Sequence, residues 1–208
     1  SGRNGLYVFH VPTAQDDPTG TWQAYFKIGG AVFHKALPIE TIKANRLKIT
    51  LDTDTDILEA GKKEHLELKS SWLTGPPAAG LKAVVEMKLT KGRTAFKGYE
   101  DYCFDNPVSD YSSSSKTIFE TVLDDEGKAV SDLIMPRCED APGMLNARIT
   151  TRVMEKGGDA SVNTLMKSFA PFPSFVGVKL NSGETLDTDM DHEIPVIVLD
   201  AEGKVVVG

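Results

Sequence analysis

Two acidic triplets with the pattern Asp-x-Asp-x-Asp are the residues in this sequence whose types and spacing best suit chemistry. They occupy residues 52–56 and 187–191. Carboxylate oxygens at alternate positions are ligands for Ca²⁺, but an EF-hand loop also requires glycine at its sixth position and glutamate at its twelfth. Neither triplet has that glycine, and the twelfth positions hold Lys63 and Val198. We therefore predict solvated acidic turns and no metal-ligating residue.

The other polar residues do not predict catalysis. No Gly-x-Ser-x-Gly elbow is present for a serine nucleophile, and the pair Gly29-Gly30 lacks the following helix and the Lys-Ser/Thr pair of a phosphate-binding loop. The four histidines are far apart in the sequence, at His10, His34, His65 and His192. We predict partly exposed histidines, no catalytic or cofactor-binding residue, no cofactor and no enzymatic activity.

The tryptophans and the cysteines each allow two interpretations. Trp22 and Trp72 could stack on sugars, but a tryptophan in the strand of a sandwich is more typical of a hydrophobic core. Cys103 and Cys138 are too few for a disulfide scaffold and lack the Cys-x-x-Cys spacing of a zinc site. They form either one disulfide bond or two reduced, partly buried thiols.

Composition argues against several classes of protein. The chain has 208 residues, of which 40% are hydrophobic and 25% charged, as is ordinary for a globular protein. A formal net charge of −7 without a basic run argues against a nucleic-acid partner, because phosphates require a basic surface. No stretch approaches the roughly 18–20 consecutive apolar residues that span a bilayer. The start of the chain is unlike a signal peptide, which says nothing about a longer parent protein.

The elements that must position these residues are predicted to be short β-strands. Leu47, Ile49 and Leu51 alternate with polar residues, as a half-buried strand requires. The clearest alternation follows at 145–153, and about seven strand-like runs separated by turn residues lie between residues 46 and 170. We therefore predict an all-β fold, an immunoglobulin-like or fibronectin-like antiparallel β-sandwich.

The first part of the chain holds three further strand candidates. They lie at 6–11, at 21–28 and at 31–42, the last with a break at Pro38, and Gly29-Gly30 predicts a tight hairpin. Further along, the turn residues at 124–128 predict a second hairpin between two apolar runs.

A repeat of domain size indicates that the strands belong to modules in tandem. The segment 51–56 recurs as 186–191, 187 − 52 = 135 positions later, and each copy lies between two predicted strands. We therefore predict the C-terminal strands of a preceding domain at 1–44, a complete sandwich domain at 45–170 and the N-terminal strands of a following domain at 171–208.

Eight short segments are familiar in their order along the chain. They are Gly20–Trp22, Lys27–Ala31, Ile39–Lys43, Asn45–Ile49, Trp72–Gly75, Phe96–Tyr99, Phe175–Val178 and Thr188–His192. Together they resemble consecutive macroglobulin domains of the bacterial alpha-2-macroglobulin-like proteins. Their order along most of the chain makes the resemblance more specific than any one motif. The chain departs from the family pattern at Ala44, where proline is expected.

The resemblance implies a large protein of the bacterial cell envelope, periplasmic or membrane-anchored, that traps proteases. In that family a bait segment is cut, the macroglobulin array rearranges, and a thioester often captures the attacking protease. The thioester motif Cys-x-Glu-Gln is not found at either cysteine, in segments 103–106 and 138–141. The resemblance therefore implies a non-enzymatic scaffold, with neighbouring macroglobulin domains and the target proteases of the full-length protein as partners.

Other functions and one structural expectation accompany this interpretation. An alternative is an immunoglobulin-like spacer or carbohydrate-binding array of a bacterial surface adhesin, which an exposed aromatic platform would favour. A hydrolase is a more distant alternative. The incomplete modules at 1–44 and 171–208 leave apolar strand faces that need partners. We predict that these two segments complement each other, within one molecule or between two, as a composite sandwich.

Overall fold

The computed structural model describes residues 7–14, 18, 20–39, 44–109, 111–113, 115–179, 188 and 191–206. Within this part of the chain every regular element is a β-strand, so none is a helix that could span a lipid bilayer. The strands are β1 (Gly20–Ile28), β2 (Ala31–Ile39), β3 (Leu47–Thr53), β4 (Ile57–Glu59), β5 (Lys63–Trp72), β6 (Lys82–Lys91), β7 (Tyr102–Cys103), β8 (Ser115–Val122), β9 (Lys128–Ile134), β10 (Leu145–Met154), β11 (Ala160–Ala170), β12 (Phe175–Lys179) and β13 (Val196–Leu199). They fall into two compact units, Ser1–Ala44 and Asn45–Gly208.

The first unit contains a long hairpin. β1 and β2 pair antiparallel along their whole length. Gly29 and Gly30 close the turn with φ values of 56° and 86°. A two-residue hairpin loop needs positive φ at such positions, and glycine adopts it without strain. The hairpin predicted at this glycine pair is confirmed.

Two predictions for the first unit are wrong. Residues 7–11 form no strand, and within them the Phe9 ring lies 4.8 Å from the Phe26 ring. β2 continues through Pro38, where a break was predicted, because both strands of a two-stranded sheet are edges, and an edge tolerates a residue without an N–H. Leu6 and the predicted continuation at 40–42 lie outside the described residues.

The second unit is built on a sandwich of two sheets. The larger sheet has the strand order β4-β11-β10-β6-β8, and the smaller sheet has the order β3-β5-β9. Neighbouring strands pair antiparallel, apart from β4, which runs parallel to β11. The predicted all-β antiparallel sandwich is confirmed.

The alternation of apolar residues in the sequence determines the core between the sheets. Leu47, Ile49 and Leu51 of β3 are buried, and Lys48 and Thr50 between them are exposed. The inner face of β10 is buried in the same way, and both inner faces contribute to one apolar cluster. Burial of one large aliphatic side chain stabilises the fold by about 1.5–3 kcal/mol. The largest fully buried apolar side chains of this cluster are Phe169, Leu47, Leu58, Leu66, Leu68, Leu145, Ile149, Val85 and Val153.

The turn at 124–128 joins the two sheets and is not the hairpin that its sequence predicted. β8 before it pairs with β6 in the larger sheet, and β9 after it pairs with β5 in the smaller sheet. The Asp124 side chain accepts hydrogen bonds from the backbone of Glu126 and Lys128, as in other tight turns. The Ser70 amide donates to the Gly127 carbonyl at 2.8 Å. Turn residues specify that the chain reverses, whereas core packing selects the partner strand.

Two short strands were missed by the sequence analysis. β4 has three residues and β7 has two, which is too few for an alternation of apolar and polar side chains to show. With β4, the two sheets of the sandwich contain eight strands in the described part of the chain, where about seven were predicted.

Replacing Thr151 by valine is expected to raise the free energy of unfolding by about 1 kcal/mol. Thr151 lies in the core, and its hydroxyl has no hydrogen-bond partner among the described residues, so valine of similar shape removes a desolvated polar group. Urea denaturation measures the change. The control Thr150→Val, on the outer face of β10, is expected to change stability by less than about 0.5 kcal/mol. Destabilisation by Thr151→Val would contradict the assignment of an unpaired hydroxyl.

Candidate functional site

The main packing feature of the second unit outside the two-sheet core is the junction between the sandwich and the strands that follow residue 171. β12 pairs antiparallel with β13, and its end pairs with β7, so that Val178 lies opposite Cys103 and Lys179 opposite Tyr102. A second buried cluster lies beneath this three-stranded sheet. We call this cluster the aromatic seam; its buried members are Phe96, Phe104, Ala170, Phe175, Leu199 and Ala201.

Phenylalanine rings hold the aromatic seam together. The Phe96 ring lies 4.8 Å from Phe104, nearly perpendicular at 80°, and 5.8 Å from Phe175. Phe172 adds a further contact at 6.3 Å from Phe175. Such pairs contribute about 0.5–1.5 kcal/mol each beyond the burial of their area. The seam therefore gives β12 and β13 an apolar partner within the sandwich.

Gly177 allows β12 to lie directly on the Phe104 ring. A Cβ atom at this position would overlap three ring carbons of Phe104, and these cannot move away because the ring is buried. The neighbouring Val176 points to the opposite side and is exposed. Position 177 requires glycine because a side chain would overlap the Phe104 ring, and not because of its backbone conformation.

A polar network anchors the loop that carries Phe96 and Phe104. The Asp105 carboxylate accepts hydrogen bonds from the Thr94 amide, at 3.1 and 3.2 Å, and from the Thr94 hydroxyl. The same hydroxyl accepts a hydrogen bond from the Met144 amide at 2.7 Å. Thr94 is buried, so these bonds satisfy groups that would otherwise be costly to desolvate. The network ties the loop to the start of β10.

Hydrogen bonds fix the first residues of the second unit to β11. The Asn45 side chain donates to the Val162 carbonyl at 2.7 Å and accepts from the Val162 amide at 2.9 Å. The Ser161 hydroxyl accepts from the amides of Arg46 and Leu47 at 3.0 and 3.1 Å. Four hydrogen bonds therefore set the point where the chain enters the sandwich.

The first acidic triplet is organised by residues of the chain itself. The buried Glu64 carboxylate accepts hydrogen bonds from the Thr55 amide and hydroxyl at 3.0 and 2.9 Å. The Lys167 ammonium donates to the Thr55 carbonyl at 3.0 Å and to the Asp56 carboxylate at 3.1 Å. Among the described residues no three His, Cys, Asp or Glu side chains are placed to hold a metal ion. Asp187 and Asp189 of the second triplet lie outside the described residues, so the absence of a metal site stays a prediction.

The histidines do not come together within the described part of the chain. His65 pairs with Asp132 at 2.7 Å, and His34 contacts Gln23. His10 is exposed, and His192 lies in the C-terminal part of the chain. The hydrogen bond with Asp132 raises the pKa of His65 above its ordinary value, and hydrogen bonds from Lys63 and then His65 lower the pKa of Asp132.

Replacing Asp132 by asparagine is expected to lower the pKa of His65 toward the ordinary value of a histidine side chain, because the hydrogen bond with Asp132 is the main cause of the raised pKa. In the native protein the raised pKa means that this pair stabilises the fold below the unfolded-state pKa, and that the contribution is lost as pH rises through the folded-state pKa. Titration of the imidazole by NMR measures the shift. Asp101→Asn, at a carboxylate that pairs with Lys179, serves as the control and should leave the pKa of His65 unchanged. A pKa unaffected by Asp132→Asn would rule out the pairing.

The tryptophans lie at partly buried positions. Trp72 packs at the margin of the main core, and the Arg46 guanidinium lies 5.4 Å from its ring centroid. Trp22 is half-buried in the hairpin, and its indole N–H donates to the Pro18 carbonyl at 2.9 Å. Neither tryptophan is fully buried: Trp72 packs against the main core, as the core interpretation predicts, and Trp22 lies half-buried in the two-stranded sheet.

The cysteines are not bonded to each other. Cys103 is exposed, and Cys138 is half-buried. Burial raises the pKa of the Cys138 thiol, and burial also raises the pKa of nearby Tyr111 to about 12. Of the two interpretations of the sequence, the structure contains the pair of reduced thiols.

Two clefts open on the surface of the second unit without a converging set of catalytic groups. One, of about 360 Å³, lies beside the seam and is lined by residues 59–62, 137–139 and 170–173; its Lys62 pairs with Glu59 at 2.8 Å. The other, of about 420 Å³, is lined in part by Trp72, and its Arg46 pairs with Glu155 at 2.9 Å. In both clefts a cation is neutralised by an adjacent carboxylate.

Sequence analysis did not foresee the seam. Phe96 and Phe175 appeared there only within segments that carried the family resemblance. The loop 92–101 has no alternation, and apart from Phe104 the buried partners of Phe96 in the seam lie more than 70 residues further along the chain. The one available signal was the presence of phenylalanine in a turn-rich stretch, where an apolar ring needs a partner.

The sheet order and the seam define an immunoglobulin-like β-sandwich module to which further strands of the same chain are attached. Residues 45–171 match the family described as "Bacterial Alpha-2-macroglobulin MG5 domain". The chain therefore belongs to the bacterial alpha-2-macroglobulin domain family, as its sequence resemblance indicated.

Curated relatives and solved structures agree with this family. Two proteins named alpha-2-macroglobulin, from Xylella fastidiosa strains Temecula1 and 9a5c, are each 22% identical over 179 residues, covering 84% of this chain and 11% of the relative. The chain thus spans about a ninth of their length. The native conformation of Escherichia coli alpha-2-macroglobulin is similar at 18% identity with a TM-score of 0.57, covering 97% of this chain and 14% of that one. A Salmonella alpha-2-macroglobulin mutant gives 18% identity and a TM-score of 0.54, covering 98% and 14%. At these identities the solved structures show the fold.

Proposed function

We propose that this chain is a non-enzymatic scaffold segment of a bacterial alpha-2-macroglobulin-like protein that traps proteases. The aromatic seam is the observation that carries the proposal. It uses buried rings, not polar groups, to attach the strands after residue 171 to the sandwich. A scaffold needs such apolar contacts between successive segments, because close packing fixes the position of each segment relative to the next and requires no reactive group.

The division of the chain into modules belongs to the same proposal. Residues 1–44 are the last strands of one macroglobulin domain, 45–170 form a complete domain, and 171–208 begin the next. Three apolar side chains of the hairpin in the first unit are more than half exposed: Tyr25, Val32 and Phe33. Their exposure supports the view that another segment covers this hairpin. Strand complementation between 1–44 and 171–208, within or between molecules, would provide that cover.

The proposed partners are the neighbouring macroglobulin domains of the same chain and the proteases that the full-length protein traps. One solved relative is described as a trypsin-activated alpha-2-macroglobulin from Escherichia coli, which names a protease acting on that protein. We assign the full-length protein to the bacterial cell envelope, in the periplasm or as a membrane-anchored lipoprotein, on the strength of family membership.

A spacer or sugar-binding array in a surface adhesin is the alternative function. Sugar binding would require an exposed aromatic platform, and the two tryptophans provide it poorly. Arg46 lies over the Trp72 ring, and the indole N–H of Trp22 is already bonded to a backbone carbonyl, so neither tryptophan offers a fully open platform. Titration with cell-wall sugars while tryptophan fluorescence is recorded tests the sugar-binding form of this alternative, which predicts a saturable change, whereas the macroglobulin scaffold predicts none.

The test of the proposal compares the full-length parent protein with the 208-residue chain. Each is incubated with trypsin, and cleavage of a large protein substrate is compared with cleavage of a small peptide. The full-length protein should block cleavage of the large substrate and leave peptide cleavage intact, whereas the 208-residue chain should affect neither. Inhibition or hydrolytic activity by the 208-residue chain would overturn the assignment as scaffold.

A further inference from the structure

The outer face of the smaller sheet carries a cleft lined only by side chains that can donate hydrogen bonds. It has a volume of about 310 Å³ and is lined by Lys48, Thr50, Lys69 and Ser71. The strand register places Lys48 opposite Ser71, and Thr50 opposite Lys69. Two adjacent cross-strand pairs thus place the ammonium groups at diagonal corners and the hydroxyl groups at the other two.

These four side chains have no hydrogen-bond or ion-pair partner in the part of the chain that the structure describes. The other two lysines of this sheet are neutralised, Lys63 by Asp132 and Lys128 by Glu126, both at 2.7 Å. Carboxylates are therefore available to the lysines of this sheet. Lys48 and Lys69 are the two of this group that stay unpaired among the described residues.

The cleft is held in place by the core beneath it. Lys48 and Thr50 alternate in β3 with buried leucine and isoleucine residues, and Lys69 follows the fully buried Leu68 in β5. The backbone positions of the four donors are thus fixed by packing on the other side of the sheet. Donors fixed in this way need little reorganisation of the backbone to bind a ligand.

We propose that this cleft binds a dianionic tetrahedral oxyanion, namely inorganic phosphate or the phosphate monoester group of a ligand. Two ammonium groups balance two negative charges, and two hydroxyl groups can donate to the remaining oxygens. A carboxylate carries one charge and leaves one ammonium unbalanced. Two carboxylates lie next to the cleft, where Asp52 pairs across the strands with Glu67, and they limit the ligand to a small anionic group. This binding site goes beyond the scaffold function and does not depend on it.

The test measures binding of inorganic phosphate to the 208-residue chain by amide NMR at constant ionic strength. Saturable shifts are expected at the amides of Thr50, Lys69 and Ser71. The double variant Lys48→Gln/Lys69→Gln should raise the dissociation constant about tenfold or more, because it removes both positive charges that attract the anion. The control Lys63→Gln/Lys82→Gln removes the same charge from two lysines outside the cleft, each paired with a carboxylate, and should change the constant by less than about twofold.

Two further experiments identify the source of the anion and test whether lost binding is caused by misfolding. Vesicles of phosphatidylcholine with and without phosphatidic acid show whether the phosphate can belong to a lipid. Sedimentation with the acidic vesicles that is lost in the Lys48/Lys69 variant assigns a lipid headgroup, and phosphate shifts without sedimentation assign a soluble phosphate. The variant Lys48→Arg/Lys69→Arg should restore binding, which shows that lost charge and not misfolding is responsible. Equal weakening by both glutamine variants, or the absence of saturable shifts in the unaltered chain, would overturn the proposal.

Discussion

Replacing Phe104 by alanine is expected to release β12 and β13 from the sandwich while the sandwich itself stays folded. Phe104 is 7% exposed, contacts Phe96 edge to face and lies directly on Gly177. Removing a buried phenylalanine ring costs about 3–5 kcal/mol, through lost burial and the cavity that remains. β12 is attached to the sandwich by few backbone bonds, so this loss is expected to exceed what its pairing with β7 can offset.

Native-state hydrogen exchange measures this loss segment by segment. The Lys179 amide, which donates to the Pro195 carbonyl at 2.9 Å, should exchange much faster in Phe104→Ala, whereas amides of β10 should be unchanged. The matched control is Val176→Ala in the same strand, because its side chain is 56% exposed on the side away from the seam. If the two variants accelerate exchange equally, the seam is not what holds these strands.

Replacing Phe169 by alanine is expected to destabilise the whole second unit by about 3–5 kcal/mol. Phe169 is fully buried in β11, where it lies opposite Leu145 on one side and Leu58 on the other. It contributes to the main core immediately before Ala170, which belongs to the seam. Since the total stability of a domain is about 5–15 kcal/mol, this change removes a large share of it.

Urea denaturation followed by far-ultraviolet circular dichroism measures this effect, and the midpoint should fall with little change in slope. Met166→Ala in the same strand is the control, because Met166 is 52% exposed on the outer face and should cost less than about 0.5 kcal/mol. A Phe169→Ala protein as stable as the control would mean that the two sheets do not pack as described.

Much of the sandwich could be predicted because its strands carry their own signal. In β10, Leu145, Ile149 and Val153 recur on one face, and this local alternation is enough to specify both the strand and its buried side. The same holds for β3. The Gly29-Gly30 turn was predictable because positive φ at two consecutive residues is a local property that glycine satisfies.

Pairing between distant segments could not be predicted in the same way. The turn at 124–128 has hairpin residues, yet the strands on either side of it belong to different sheets, because the choice of partner depends on the whole core. The Lys167 ammonium pairs with Asp56 of the first acidic triplet from 111 positions away, which no local pattern reveals. Sequence alone does not separate Lys48 and Lys69, which line the cleft on the smaller sheet, from the paired lysines Lys63 and Lys128. The difference depends on which residues of neighbouring strands lie opposite each other.

β12 and β13 pack on the sandwich through the aromatic seam, and the α-protons of Gly177 test this packing most directly. A Cβ atom at this position would overlap the Phe104 ring, so one α-proton points at that ring. We expect its NMR signal to be displaced from its ordinary position by the ring current, with nuclear Overhauser contacts to the ring protons, and to return to that position in Phe104→Ala. Ordinary shifts without such contacts in the unaltered protein would contradict this packing.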